Sequence, residues 1–369
     1  MTVSVPRRPR DIGQPGLHGA VERPHRASHV PVGLLPLDPW HLMRRRNDLK
    51  VALVATAKDE GPFLLEWVAF HRLAGFDPII VYQNDSTDGT AETLETLDRI
   101  GAISYFDNPA KRGRHQVRAY KRSCEVEAYR AADWAMALDI DEFLNVKCGT
   151  GKVQDLIAAI PDCDRILLNW RLFGAGGYSA LSDRLVTERF TVCDRASDMS
   201  RGLKAYKSLY RTPLFGRPGV HRVHPVDEET VTQIRTANGS GLKEDAFEIK
   251  NFRSTDPGML KLAQINHYVL RDASSFLIKA TRGSAHQPDR DLRENFWNRR
   301  QRHSRAEQDI TLRQRAPEIE REMHALDARS DGRLQKLRRK ALVHYRTRLE
   351  ELLEDPANRE LFIHCALTA

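Results

Sequence analysis

Three carboxylates fall within four residues at Asp139-Ile140-Asp141-Glu142, directly behind an apolar run that begins at Trp134. Leaving a buried strand in extended backbone, Asp139 and Asp141 at i and i+2 point to the same side. Acids held this close repel one another unless a positive charge sits among them. A hard divalent ion with oxygen ligands, Mn2+ or Mg2+, that also bridges a diphosphate is the natural occupant. Asp-x-Asp alone is a weak motif, because many exposed turns contain one, and the strand ahead of it is what gives it weight here. Two more polar clusters follow apolar runs: Lys58-Asp59-Glu60 and Asn84-Asp85-Ser86-Thr87-Asp88-Gly89-Thr90. The second can cap the next helix through Thr87 or Asp88, and it can equally line a ligand cleft. His221 and His224, at i and i+3, lack enough further ligands for a zinc site.

The elements that position these clusters follow from the hydrophobic rhythm. Lys50 to Ala57 is a short continuous apolar run, as expected of a strand buried on both faces. Gly61-Pro62 opens a helix in which Phe63, Leu64, Trp67, Val68, Phe70 and His71 recur at helical spacing, and Gly75 closes it. Pro78 to Tyr82 reads as a second strand, Thr90 to Ile100 as an amphipathic helix and Ala102 to Phe106 as a third strand. Residues 115–132 read as one long helix, and Trp134 to Asp139 as a fourth strand. Strand and helix alternate at crossover length, which predicts an α/β fold with a mostly parallel, doubly wound sheet and helices on both faces. Ligands of such sheets bind beyond the carboxyl ends of the strands, where all three clusters fall.

Past residue 150 the rhythm loosens into a helix near Val153–Ile160, a strand from Arg165 to Trp170, and short strands near Leu185–Val192 and Ser208–Tyr210. From 286 onward the chain is charged and helical, with Leu337, Ala341, Tyr345 and Leu349 four residues apart. Three regions are expected: a flexible basic leader over 1–47, the α/β domain over 48–285, and an appended helical extension over 286–369.

Composition narrows the partners. The 369 residues carry 58 Lys and Arg against 50 Asp and Glu, a net charge of +8 that invites a nucleic-acid reading. Its distribution argues otherwise: residues 1–50 carry +5, residues 281–369 carry +4, and the stretch between carries −1. The tail has Arg338-Arg339-Lys340 but few aromatics to stack on bases, and acids are interspersed throughout, so nucleic acid is not an expected partner. The basic ends suit peripheral contact with an anionic membrane, or plain solvation. A hydrophobic fraction of 41% supports a folded core. Five cysteines with no Cys-x-x-Cys pair exclude a zinc ribbon and a disulfide scaffold. With no apolar signal segment behind Met1, and no run near the roughly 18 apolar residues that cross a bilayer, a cytoplasmic protein is expected.

Four blocks in order carry a more specific signal: KDEGPFLLEWVAFHRLAGFDPIIVYQNDSTDGT (58–90), DWAMALDIDEFL (133–144), WRLFGAGGY (170–178) and INHYVLRDASSFLIKATRG (265–283). Together they resemble a GT-A glycosyltransferase of the family-2-like group, related to the DUF23 or family 92 enzymes. The resemblance implies a GT-A sheet over roughly residues 50–285. It also implies transfer of a sugar from a UDP- or GDP-sugar to a glycan or glycolipid hydroxyl, with inversion. Carried over by position, Asp141 ligates the metal and Asp139 contacts the metal or the donor ribose. His267 completes the metal shell, with His224 as the alternative. Lys58, Glu60, Gln83, Asn84, Asp85 and Asp88 line the donor, with Asn84 and Asp85 beside base and ribose and Glu60 near the base. Gln83 stands where the family often has an acid, which leaves donor choice open. Lys279 and Arg282 either face the diphosphate or form an exposed basic turn.

Inversion also needs a base to deprotonate the acceptor hydroxyl. Glu188 and Asp227 are the candidates, with Asp183 and Asp194 behind them. The glycines of Phe173-Gly174-Ala175-Gly176-Gly177 suit close approach of backbone to a sugar, or a mobile acceptor loop. A sugar nucleotidyltransferase shares this architecture, but it wants a Gly- and Arg/Lys-rich loop after the first strand, where residues 58–62 offer only Lys58 and Gly61. A non-catalytic binding protein that uses the basic tail is the remaining alternative.

Overall fold

The computed structural model describes residues 48–109, 115–196, 205–221, 223–227, 229, 233–241, 243–244, 259–282, 294–303 and 306–369. The leader expected over 1–47 lies outside them. The parallel half of the sheet is built from β1 (Val51–Ala57), β2 (Ile79–Gln83), β3 (Ser104–Asp107) and β4 (Trp134–Ala137), in the order β3-β2-β1-β4. Between these strands run α1 (Gly61–Leu73), α2 (Thr90–Arg99), α3 (His115–Ser123) and α4 (Glu127–Arg130). The alternation expected from sequence is present, with ends shifted by a residue or two.

After β4 the chain continues through β5 (Glu142–Val146), α5 (Val153–Ala159), β6 (Arg165–Leu172), α6 (Val186–Arg189), β7 (Val192–Cys193) and β8 (Tyr206–Arg211). Here the sheet becomes mixed: β8 runs antiparallel to both β4 and β6. The hairpin β9 (Phe215–Arg217) and β10 (His224–Pro225) follows, then β11 (Thr236–Asn238), β12 (Lys243–Glu244) and β13 (Ala263–His267). β13 pairs parallel with β6 and antiparallel with β5. The remainder is α7 (Ala273–Arg282), α8 (Glu294–His303), β14 (Glu307–Gln308), α9 (Ala316–Arg329), α10 (Arg333–Leu352) and α11 (Pro356–Thr368).

β1 is apolar from Val51 to Ala55 because both its faces are covered. Val51, Leu53 and Ala55 face a core shared with α1, while Ala52 and Val54 face a second core with Tyr120 and Tyr129. Two expected elements differ. The long helix over 115–132 is divided, because Val126 is extended and re-aims the chain, bringing the Tyr129 hydroxyl 2.9 Å from that of Tyr210. The strand expected near Leu185–Val192 is mostly α6. There the buried Glu66 carboxylate accepts the N–H groups of Val186 and Thr187 at 2.7 and 3.0 Å and fixes a helical turn.

The C-terminal helices are part of the core and not an appended module. Ile319, Met323, Leu326, Leu334, Tyr345 and Leu352 join the same cluster as Val51, Leu65 and Trp67. The cause lies in α1, every residue of which from Gly61 to His71 is buried. A helix apolar on all sides needs a second layer outside it, and α9 and α10 supply that layer. At its start the approach is close: a Cβ on Gly61 would lie 2.8 Å from Ala341 Cβ.

Candidate active site

β4 ends one residue short of the acidic turn, and the Leu138 N–H still donates to Val54 O at 3.1 Å, so Asp139 emerges just past the ladder. Its carboxylate accepts from Gln116 Nε2 at 2.8 Å and pairs with Lys207 Nζ at 3.0 Å. The same ammonium lies 3.1 Å from Glu142 Oε2, an oxygen that also accepts from the Asp139 N–H at 3.0 Å. Glu142 and Lys207 are sealed, with side chains 0% and 1% exposed, whereas Asp139 is 34% exposed. Burial pushes the Glu142 carboxyl up to about 8 against the pull of Lys207. Burial opposes the Lys207 charge as well, but Asp139 and Glu142 outweigh it and hold the ammonium above its ordinary value. Lys207 is thus a fixed cation beneath the turn.

Asp141 meets a different pair. Its Oδ2 is held by Lys279 Nζ from α7, and its Oδ1 lies 3.7 Å from Nε2 of His267 at the end of β13. The register places His267 opposite Glu142 on one side and Leu172 on the other, and the Tyr268 N–H donates to Asp141 O at 2.8 Å. The His267 ring packs 4.4 Å from that of Trp170, and its Nδ1 is buried without a hydrogen-bond partner. Burial lowers the His267 proton affinity more than Asp141 raises it. For Asp141, burial is outweighed by Lys279 and then His267, which hold it well below the usual carboxylate range.

A third node ties the loops together. Glu60 pairs with Arg271 Nη1 at 2.8 Å and Arg282 Nη2 at 2.5 Å, and these guanidiniums overcome burial to hold it below its ordinary value. Arg282 also donates to the carbonyls of Lys58 and Asp59, while Arg271 donates to Ile140 O at 3.3 Å and lies 3.6 Å over the Phe63 ring. Tyr345 of α10 donates its hydroxyl to Asp59 O. The loops after β1 and β2 are laced together: Asp59 Oδ1 accepts from the Thr87 N–H at 2.8 Å, and Asp88 Oδ2 accepts from the Gly61 N–H at 2.8 Å.

These contacts redistribute the expected donor residues. Glu60 and Asp88 are buried and committed to arginines and to the start of α1, so they brace the cleft and do not present free carboxylates to a base. Asp88 serves two helix starts, its Oδ2 taking the Gly61 N–H of α1 and its Oδ1 taking the Thr90 N–H of α2 at 3.0 Å. Gln83 is engaged with Asp107 at 2.8 Å and with the Ser86 N–H at 3.2 Å. Asn84 is buried, Lys58 is half-buried, and Asp85 remains exposed. Asp59, Asp85 and Arg271 all hold positive φ, at 48°, 49° and 53°. Left-handed backbone at a non-glycine residue costs energy and gathers at functional sites.

The structure does not bring all candidates together. Glu188 pairs with Arg184 and lines a groove of about 570 Å3 with Glu320, Met323 and His324, a place built by α6, α9 and α10 and not by the acidic turn. Asp227 is exposed just past β10, and His224 is exposed within it. Asp194 is buried and accepts from the Leu172 N–H at 3.2 Å, and the Asp183 carbonyl takes Arg338. Sequence reasoning missed Lys207, Arg271 and Gln116. A lysine near the start of the strand Tyr206–Arg211 was the available signal, since a charge inside a sheet needs carboxylate partners.

The donor set at Asp141 suits a divalent ion. Ligand atoms about 2.1 Å from one centre lie up to roughly 4.2 Å apart, and the Asp141–His267 separation of 3.7 Å falls inside that span. Among the described residues no cluster of three or more His, Cys, Asp and Glu side chains forms a full cage. The protein offers a half-site of the kind that diphosphate oxygens complete for Mg2+ and similar ions.

Fold and site together define an α/β protein whose parallel strands lead into a cleft of paired acids and cations. The family model for glycosyltransferase family 92 matches residues 57–257, more than half the chain, and the chain belongs to that family. It is 25% identical over 194 residues to a glycosyltransferase family 92 protein of Oryza sativa subsp. japonica, covering 51% of this chain and 31% of that one. It is 26% identical over 121 residues to one of Ricinus communis, covering 32% and 21%. The chain thus matches about a third or less of the length of these curated relatives. Among solved structures it is similar to S. aureus TarS 1–349, at 15% identity and a TM-score of 0.34, covering 83% of this chain and 91% of that one.

Proposed function

We propose that this chain transfers a sugar from a nucleotide-sugar donor to an acceptor hydroxyl, with a divalent ion at Asp141 and inversion at the anomeric carbon. The observation that supports the reading is the meeting of Asp141 with His267 and Lys279 at the carboxyl edge of the sheet, two residues past Asp139, in a family 92 chain. Bound there, Mn2+ or Mg2+ supplies positive charge to the departing diphosphate. Asp141 and His267 would hold the ion. Asp139, locked by Gln116 and Lys207 yet a third exposed, presents an oxygen to the ribose or to the ion. The braced loops at Asp59 and Asp85 form the wall for the nucleoside, and the bracing keeps that wall in place before the donor arrives.

A UDP- or GDP-sugar donor and a glycan or glycolipid acceptor belong to the same proposal. So does a cytoplasmic protein touching an anionic surface, which the +4 of residues 281–369 supports. The test is release of nucleoside diphosphate from a panel of nucleotide sugars with Mn2+, for the wild type and Asp141→Asn. One class of donor is expected to be turned over, and the variant is expected to lose about 100-fold or more. Absence of binding and turnover with every donor, or a variant as active as the wild type, overturns the reading.

A further inference from the structure

The cation that faces Asp141 in this structure is a lysine of the chain itself. Lys279 Nζ contacts Asp141 Oδ2 and donates to Val269 O at 3.3 Å. Its side chain is 25% exposed, against 1% for Lys207, so its head group can swing into water while that of Lys207 cannot. The helix that bears it is fixed. Asp272 at the start of α7 holds Arg189 at 3.0 Å and the Ser275 N–H at 2.8 Å, and Arg282, three residues beyond Lys279, is locked on Glu60. Only the flexible stem of Lys279 is therefore free to move, over a few ångströms.

An ammonium on Oδ2 and a divalent ion on Oδ1 of one carboxylate repel each other across a few ångströms, and with the Asp141 side chain just 10% exposed little water screens them, so each weakens the hold of the other. We infer that Lys279, on Oδ2, is a built-in counter-ion of Asp141 that competes with a divalent ion at Oδ1 and is displaced when the ion binds. The inference rests on the reading of Asp141 as a metal ligand and adds a competition to it. Without the ion, Lys279 spares Asp141 the cost of an unpaired buried charge. With the ion in place, the released ammonium stands at the mouth of the same cleft, where a diphosphate supplies it with a new partner. Nucleotide and metal then raise each other's affinity, as linkage requires.

The test is Mn2+ binding to the nucleotide-free protein, followed by loss of the free-ion paramagnetic resonance signal, for wild type, Lys279→Met and Lys279→Arg. Lys279→Met is expected to bind Mn2+ at least about tenfold more tightly than wild type, and Lys279→Arg to stay near wild type. Equal or weaker binding by Lys279→Met, including no binding by either protein, overturns the inference. Should Lys279→Met fold poorly, the wild type supplies the second measurement: acetylation of Lys279 by acetic anhydride, read by mass spectrometry. Mn2+ is expected to raise its rate severalfold, and an unchanged rate overturns the inference. Adding UDP or GDP tests the functional reading separately. If neither nucleotide changes the Mn2+ affinity while the lysine effect stands, the nucleotide-sugar reading fails and the counter-ion role survives.

Discussion

His71, in the middle of α1, is fully buried among the rings of Trp67, Phe70 and Phe143, with Nδ1 2.9 Å from Trp67 O and no partner at Nε2. Burial lowers its proton affinity to a pKa of about 3, from 6.5. Between those values the unfolded chain binds a proton that the native state refuses, so stability is intact above about pH 6.5 and declines as the pH falls towards 3. The slope attributable to this one group is at most about 1.4 kcal/mol per pH unit. His71→Phe is expected to flatten that part of the profile, as measured by urea unfolding at pH 4, 5, 6 and 7; parallel profiles would contradict the assignment. Legibility at this scale was uneven. Asp139 and Asp141 were readable because the apolar strand ahead of them fixed their place at the sheet edge. Lys207 was not, because a lysine beside Ser208 reads as a solvated position next to a short strand, and the carboxylates that bury Lys207 lie more than sixty residues earlier. Glu60 and Asp88 were found, but spacing could not say that their oxygens were already committed to arginines and backbone amides.

Elements in the first half of the chain were legible because each is a local pattern. β1, α1, β2, α2 and β4 come from continuous apolar runs and helical spacing, and they sit where those runs are. The divided helix at Val126 and the α6 turn were not legible, because each is decided by a distant partner: Tyr210 for one and Glu66 for the other. The start of α1 is a similar case. Gly61 is needed there for space, since the helix α10 brings Ala341 within 2.8 Å of where a Cβ would stand. Gly61→Ala is expected to destabilise by about 1–3 kcal/mol through overpacking. Ala341→Gly in the same chain should recover part of the loss, an energetic coupling that a double-mutant cycle in urea reads directly. Simple additivity of the two changes would place the strain elsewhere.

At the scale of the molecule, the described residues share a core that ignores the boundary expected at residue 285. Leu334 of α10 is as fully buried as Leu53 of β1, and both belong to one cluster. Leu334→Ala is therefore expected to cost about 2–5 kcal/mol, as a core truncation does. The midpoint should fall equally by tryptophan fluorescence and by far-ultraviolet circular dichroism; separate transitions for helices and sheet would show an independent module. The extension looked separable because its surface is charged and its spacing ordinary. The missing clue was in α1, whose apolar residues surround the helix and demand cover on the side away from the sheet.

That cover has a consequence in time. α1 leaves the ribosome roughly 270 residues before Tyr345 does, an interval of about 15–55 s at ordinary rates of synthesis. Through it the nascent chain holds a sheet-forming half whose central helix is bare on its outer side. The Asp59 carbonyl likewise waits for the tyrosine that steadies it. The loop at Asp59 lacks that support until α10 is made, so a chain arrested before it leaves the outer side of α1 bare and offers chaperones a sticky surface.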